Sequence, residues 1–314
     1  MFIDALISFL LSGLFENFEK PPRLQPREVI YGEPVVRGGD LDGTSSVQAP
    51  YKIHGERESI DVIVSAQSAL VVDTATGRVL YAKNQNEQRS LASITKLMTA
   101  LVFLENNPGW GTTAPVKEEY KKEGGAISSH AEDVFTAQEL FDLMLIGSKN
   151  DAARTLVYTT GLSHAEFVKK MNLKAQQLGL SSTVFVDPTG LYSENVSSAA
   201  DIAKLLSAAL EHEEVRQATT TRFYFGHSNI ANDDFVEANT NLQLLDSFLN
   251  INGNQLIGGK TGFITEAGYC LTSAFKDAAG NEVIAVVLGS QDLDARHQEV
   301  KSLVSWVFDN FEWR

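Results

Sequence analysis

A single cysteine, Cys270, excludes any internal disulfide from this chain. It stands in an apolar, strand-like stretch, where a small buried thiol is the expected reading. Positive charge is also in short supply: 26 Lys and Arg stand against 40 Asp and Glu, a net charge of -14. Such a surface repels phosphate, which argues against nucleic acid and anionic membrane surfaces as partners. The histidines, His54, His130, His164, His212, His227 and His297, are scattered singly, and no pair has metal-ligand spacing. His212, among Glu211, Glu213 and Glu214, reads as the solvated end of a helix. No metal and no other cofactor is expected. The apolar run Ala5 to Phe15 is too short to span a bilayer by itself. Internal repeats and low-complexity segments are absent as well.

What is present suits a globular protein with a real core: 314 residues, 43% of them hydrophobic, with 23 Gly and 8 Pro. The prolines are unevenly placed, with Pro21, Pro22, Pro26, Pro34 and Pro50 all ahead of Ser59. Residues 16–60 are therefore expected to be an extended linker, and residues 61–314 the folded domain. Residues 1–15 form an apolar segment of signal-core length. No basic residue precedes Lys20, Asp4 interrupts the start, and no small-x-small cleavage site follows, so anchor, remnant signal and amphipathic helix all stay open.

Within the domain, Ser65 to Tyr81 reads as two strands joined through a turn at Thr76-Gly77. A helix follows, with Ile94, Leu97, Met98, Leu101 and Val102 at helical spacing and a stop at Asn107-Pro108. Thr136 to Leu180 is helical in pattern: Thr136 and Glu139 make a capping box, and Gly179 caps a segment running from Ser163 to Leu178. Another helix is expected over Asp201 to Leu210. Strands are expected over Gly268 to Lys276 and Glu282 to Leu288, and a last helix around Leu303 to Phe311.

The chemistry starts at Ser93-Ile94-Thr95-Lys96, at the polar entry to the first of these helices. Positions i and i+3 share a helix face, so the Lys96 amine can reach the Ser93 hydroxyl within one turn. A serine hydroxyl is a weak nucleophile and needs such a base. Burial and the positive end of a helix both disfavour an ammonium, which makes a neutral Lys96 physically reasonable. Ser-x-x-Lys arises by chance about once in a chain of this length. A second copy, Ser273 to Lys276, falls in a strand pattern, where i and i+3 face opposite ways. Ser148-Lys149-Asn150 and Lys260-Thr261-Gly262 complete the set of parts that serine acyl transfer with a lysine base needs: a nucleophile, a proton relay and a cation for the substrate carboxylate. Taken singly, each of these residues reads as a helix cap, surface lysine or turn residue.

The three motifs in this order form the signature of penicillin-binding proteins and class A β-lactamases. From about Ser65 onward the chain resembles the low-molecular-mass penicillin-binding proteins, the serine D-alanyl-D-alanine carboxypeptidases of bacterial cell-wall metabolism. The resemblance includes SALVVDTATGRVLYAKNQNEQRSLASITKLMTALVFLE, LMLIGSKNDAA, MNLKAQQLGL and GGKTGFITEAGYCL. The separations, 55 residues from Ser93 to Ser148 and 112 from Ser148 to Lys260, also resemble the family's.

The resemblance implies an α+β fold of β-lactamase/transpeptidase type: an antiparallel sheet flanked by helices, a helical subdomain, and a site in the cleft between them. By the same resemblance Ser93 would attack the penultimate D-Ala carbonyl and Lys96 would be its base. Ser148 would relay a proton, and Asn150 would bond Lys96 and the substrate amide. Lys260 with Thr261 would receive the terminal carboxylate, Gly262 would let the substrate approach as an added strand, and the NH groups of Ser93 and Phe263 would form the oxyanion hole. The implied partners are peptidoglycan stem peptides ending in D-Ala-D-Ala, with β-lactams as covalent inhibitors. The implied location is the cell envelope, outside the cytoplasm. The β-rich C-terminal domain and membrane-binding tail of some relatives are expected to be absent, so any anchoring is expected at the N-terminus. Lys149 stands where the family mostly has a small residue; its charge is expected to point outward into solvent. Three alternatives remain. An endopeptidase of the same family would share every motif. A class A β-lactamase would need a Glu-x-x-Leu-Asn, whose nearest lookalike, Asp246 to Asn250, lies just before Lys260. A non-catalytic wall-binding module would not need the three motifs intact.

Overall fold

The computed structural model describes residues 48–52, 62–121, 124–247 and 254–313. The apolar segment 1–15 and most of the expected linker lie outside the described residues. Within that linker, however, β1 (Tyr51–Lys52) pairs antiparallel with β13 (Phe311–Glu312), so the ordered fold takes in residues ahead of Asp61.

The centre is a five-stranded antiparallel sheet built from β2 (Ser68–Asp73), β3 (Val79–Lys83), β10 (Gln255–Ile264), β11 (Gly268–Lys276) and β12 (Glu282–Ser290), in the order β10-β11-β12-β2-β3. The expected β2–β3 hairpin is present. Its turn is held by the Asp73 carboxylate, which accepts from Thr76 N at 2.9 Å, and Gly77 supplies a φ of 69° that disfavours any side chain.

Alternation along these strands divides the core in two. Val71 of β2, Val283, Ala285 and Val287 of β12, and Leu271 and Phe275 of β11 face α9 (Leu293–Asn310), which buries Val300, Leu303, Val304 and Val307 against them. The intervening residues Leu70, Ile284, Val286, Leu288 and Ala274 face the larger cluster on the other side. That cluster is made by α1 (Lys96–Glu105), α3 (Ala137–Ile146), α4 (Asn150–Thr159), α5 (His164–Gln177) and α6 (Ala199–Leu210). The short helices α2 (Glu118–Lys121), α7 (Glu213–Thr220) and α8 (Leu242–Leu245) fill in the rest. Four two-stranded ribbons complete the described elements: β1 with β13, β4 (Arg89–Ser90) with β7 (Val196–Ser197), β5 (Thr113–Pro115) with β6 (Val134–Thr136), and β8 (Phe223–Ser228) with β9 (Asp233–Ala238). The fold is α+β.

The Thr136/Glu139 capping box opens α3 as expected, and a second, Ser163/Glu166, opens α5. The last helix departs from expectation, starting at Leu293 rather than near Leu303. Asp292 caps it by accepting from Ala295 N at 2.7 Å, and its first turns bury Arg296, His297 and Glu299. Buried polar residues break the apolar period by which a helix is recognised in sequence. The discarded Ser273 to Lys276 copy lies within β11, and Cys270 is buried in the same strand, its thiol pushed up to about 11 by burial.

Candidate active site

Ser93 sits in a 3-10 turn, Ala92–Thr95, that runs directly into α1. Ala92 has a φ of 48°, a left-handed value that an L-residue adopts only when its surroundings impose it. The imposing neighbour is Gly190, whose own φ is 84° and whose absent Cβ would lie 1.9 Å from the Ala92 carbonyl oxygen. From the other side comes Gly262 of β10, where a Cβ would lie 2.7 Å from Leu91 O and 3.2 Å from Ser93 N. Two glycines thus let the backbone close around the serine.

Lys96 opens α1 and is fully buried. Its Nζ lies 2.9 Å from Ser93 Oγ, 2.6 Å from Asn150 Oδ1 and 2.7 Å from Thr189 O. A neutral amine carries two N–H donors and one lone pair. With the two carbonyl oxygens taking both donors, the lone pair is left facing the Ser93 hydroxyl. Loss of water lowers the Lys96 pKa to about 7, against the opposing pull of the Asp187 and Asp151 carboxylates. Near neutrality a large fraction of the amine is therefore free to accept a proton.

Ser148 follows α3 in a left-handed conformation, φ 59°, and its Oγ accepts from Lys260 Nζ at 2.8 Å. Lys260, also fully buried, donates to Thr261 O at 3.1 Å as well. Desolvation, followed by the neighbouring positive charges of Lys96 and Arg296, holds its pKa well below that of a free lysine. An arriving carboxylate would restore its charge. Asn150 is anchored at its amide nitrogen by Gly124 O, 2.9 Å away, which turns its oxygen towards Lys96. Of the residues singled out in sequence, Ser93, Lys96 and Asn150 meet in one contact network, and Ser148, Lys260 and Thr261 in a second. Gly262 and Phe263 continue β10 alongside; the Phe263 ring is half exposed and stacks on Tyr269 at 4.3 Å.

Lys149 corrects an expectation. Its charge is not solvated: its side chain is 13% exposed and pairs with Glu237 of β9 at 2.6 Å, while donating to Ala126 O at 3.0 Å. The β8–β9 ribbon that brings Glu237 there was not read from the sequence, because most of its residues are exposed and only Phe235 and Glu237 of β9 turn inward.

Three further participants escaped the sequence reading. Thr189 offers the carbonyl that Lys96 contacts. Asp187 holds that turn together. Arg296 of α9, nearly buried, donates to Gly262 O at 3.1 Å and places a second cation behind β10. The run Asp187-Pro188-Thr189-Gly190 carried a legible turn signal, since Asp, Pro and Gly at this spacing favour a side-chain-closed turn. Arg296 had none. Among the described residues no group of His, Cys, Asp and Glu could hold a metal ion, and no helix is long and apolar enough to cross a membrane.

A sequence model of the D-alanyl-D-alanine carboxypeptidase family matches residues 55–292. The chain is 34% identical over 275 residues to the D-alanyl-D-alanine carboxypeptidase DacF of Bacillus subtilis, covering 83% of this chain and 66% of that protein, slightly under two thirds of its length. It is also 34% identical to a D-alanyl-D-alanine endopeptidase of Haemophilus influenzae, over 71% of this chain and 74% of that one. Among solved structures, the Streptomyces K15 DD-transpeptidase superposes with a TM-score of 0.72 at 27% identity, covering 80% of this chain and 99% of that one. Penicillin-binding protein D2 of Listeria monocytogenes, in its cefotaxime-bound form, gives 0.66 at 30% identity, covering 80% of this chain and 100% of that one. By its sequence and its fold, the chain belongs to the D-alanyl-D-alanine carboxypeptidase family.

Proposed function

We propose that the protein is a serine-type D-alanyl-D-alanine carboxypeptidase that removes the terminal D-Ala from peptidoglycan stem peptides. The observation that carries this reading is the Lys96 amine, fully buried and 2.9 Å from Ser93 Oγ, with its pKa lowered to about 7 by loss of water. Ser93 Oγ attacks the carbonyl carbon of the penultimate D-Ala while its proton passes to Lys96. The oxygen that becomes negative sits between the NH groups of Ser93 and Phe263, each such donor contributing about 3 to 4 kcal/mol of transition-state stabilisation. The tetrahedral adduct collapses by breaking the peptide bond. The departing D-Ala nitrogen takes the proton that Lys96 accepted, passed on through Ser148, which is bonded to Lys260, and Lys96 returns to its neutral form. Water then attacks the ester with Lys96 again as base, releasing the shortened peptide and restoring Ser93.

Lys260 and Thr261 receive the terminal carboxylate, and the Arg296 cation behind β10 adds to the field that draws it in. Asn150 holds Lys96 and faces the substrate amide. β-Lactams acylate Ser93 as mimics of D-Ala-D-Ala, and the reaction takes place in the cell envelope. Membrane contact through residues 1–15, the remaining part of that expectation, falls outside the described residues. An endopeptidase specificity is the second reading, favoured by relatives that carry that name.

Intact-protein mass spectrometry after incubation with benzylpenicillin tests the mechanism. The wild type should gain one stable adduct and Ser93→Ala none. Penicillin left intact with no adduct sinks the acyl-serine reading, and penicillin destroyed with no adduct points to a β-lactamase. Release of D-Ala from a stem pentapeptide, set against cleavage of a cross-linked dimer, then separates carboxypeptidase from endopeptidase.

A further inference from the structure

The loop from Val186 to Asn195 is closed around one buried carboxylate. Asp187 is fully buried, and four donors point at its oxygens: Thr189 N at 3.2 Å, Thr189 Oγ1 at 2.7 Å, Gly190 N at 2.7 Å and Asn195 Nδ2 at 2.5 Å. Among the described residues these donors are all neutral, and no ion pair gives Asp187 a cation. The loop it closes is fastened to the nucleophile's helix at three points. Thr99 Oγ1 donates to Pro188 O at 2.6 Å, Lys96 Nζ to Thr189 O at 2.7 Å, and Leu91 N to Asn195 O at 2.9 Å. Gly190 meanwhile supports the strained Ala92 from below. Every contact that orients Lys96 from this side therefore passes through the turn that Asp187 holds.

A buried anion without a cationic partner is costly unless its hydrogen bonds and surroundings compensate for it. Here the compensating charge arises during the reaction. When Ser93 gives up its proton, Lys96 changes from a neutral amine to an ammonium at a fully buried position.

We propose that Asp187 is the positioning residue of the lysine base: it holds the Thr189 carbonyl on Lys96 Nζ and supplies the fixed negative charge that stabilises the ammonium formed when Lys96 takes the Ser93 proton. This rests on the acyl-serine reading above. Lys96 is faced by Ser93 from the 3-10 turn, by Asn150 and Asp151 from α4, by the Asp187 turn, and by the Lys260 amine from β10. Asp187 is the larger of the two carboxylate influences opposing the desolvation of Lys96. Asp151 has its own cation in Lys121, at 3.4 Å.

The test is the second-order rate of acylation by benzylpenicillin between pH 5 and pH 10, for the wild type, Asp187→Asn and Thr189→Val, with folding checked by circular dichroism. Removing the anion makes Lys96 easier to deprotonate and a weaker base. Asp187→Asn should therefore move the acid limb about one pH unit lower and lower the plateau about tenfold. Thr189→Val removes one donor to Asp187 but keeps the charge, so it should lower the plateau and leave the limb in place. A folded Asp187→Asn whose limb stays put, or moves up, overturns the proposal, because mere loosening of the loop admits water and raises the Lys96 pKa. Should Asp187→Asn fail to fold, Thr189→Val decides: an acylation rate equal to the wild type overturns the positioning role, and a fall of several-fold with reversible penicillin binding retained supports it. Failure of the underlying reading looks different, since the wild type itself would then not acylate.

Discussion

Replacing Lys96 by methionine removes a titrating amine from a fully buried position while nearly keeping its volume, and the consequence depends on pH in a calculable way. The folded-state pKa of Lys96 is about 7, against 10.5 for a free lysine. Between those values the unfolded chain holds a proton that the folded chain does not, so the wild type gains stability as pH rises through this window and none below it. Integrating the titration from pH 7 to pH 9 gives about 2 kcal/mol. The variant has no such dependence. Its stability relative to the wild type should therefore be about 2 kcal/mol more favourable at pH 7 than at pH 9. Methionine also leaves Asn150 Oδ1 and Thr189 O without a donor, at about 1 to 3 kcal/mol each, but that loss is independent of pH and cancels from the comparison. Urea denaturation of both proteins at the two pH values, followed by circular dichroism, measures the difference. An equal stability difference at pH 7 and pH 9 would mean that Lys96 is charged in the folded protein, and the general-base assignment would fall with it.

The same pKa sets the kinetics: acylation by benzylpenicillin should fall about 50-fold from pH 7 to pH 5 as Lys96 is protonated, and a rate flat over that range contradicts the assignment. Glu237→Ala strands the nearly buried Lys149 and frees Ser128 N, which Glu237 accepts from at 2.8 Å. A loss of about 3 kcal/mol or more is expected in denaturant unfolding, and a loss below about 0.5 kcal/mol would mean that Lys149 finds water instead. Gly190→Ala forces a Cβ into the Ala92 carbonyl and a left-handed backbone onto an alanine. Acylation at Ser93 should drop more than about tenfold, with a lower melting temperature, and wild-type kinetics would show that the loop can move aside.

Legibility in the sequence followed the range of the interactions. The β2–β3 hairpin, the Thr136/Glu139 capping box and the Ser93/Lys96 pairing were readable because each involves residues a few positions apart. The Lys149 expectation failed in its solvation because the deciding partner, Glu237, lies 88 residues away, on a ribbon that exposes Phe223, Phe225 and Val236 and buries Glu237, the reverse of the usual alternation. The early turns of α9 were missed because Arg296, His297 and Glu299 are polar and yet buried; Arg296 bonds Gly262 O and Glu299 accepts from Ala66 N, distant partners that no local pattern announces.

The sequence by itself determined that serine and lysine share one helical turn, that two further polar motifs follow in a set order, and that the chain alternates strands with amphipathic helices. These depend on covalent spacing and on the two backbone periods. Only the tertiary structure decided that Asn150, 54 residues from Lys96, and Thr189, 93 residues away, both close on one amine. It also decided that Lys260 reaches Ser148 across 112 residues. A pKa is a property of everything that surrounds a group once water has been expelled. The basicity of Lys96 is accordingly set by its first helix, by α4, by the Asp187 turn and by β10 together, and it exists only when those four have packed.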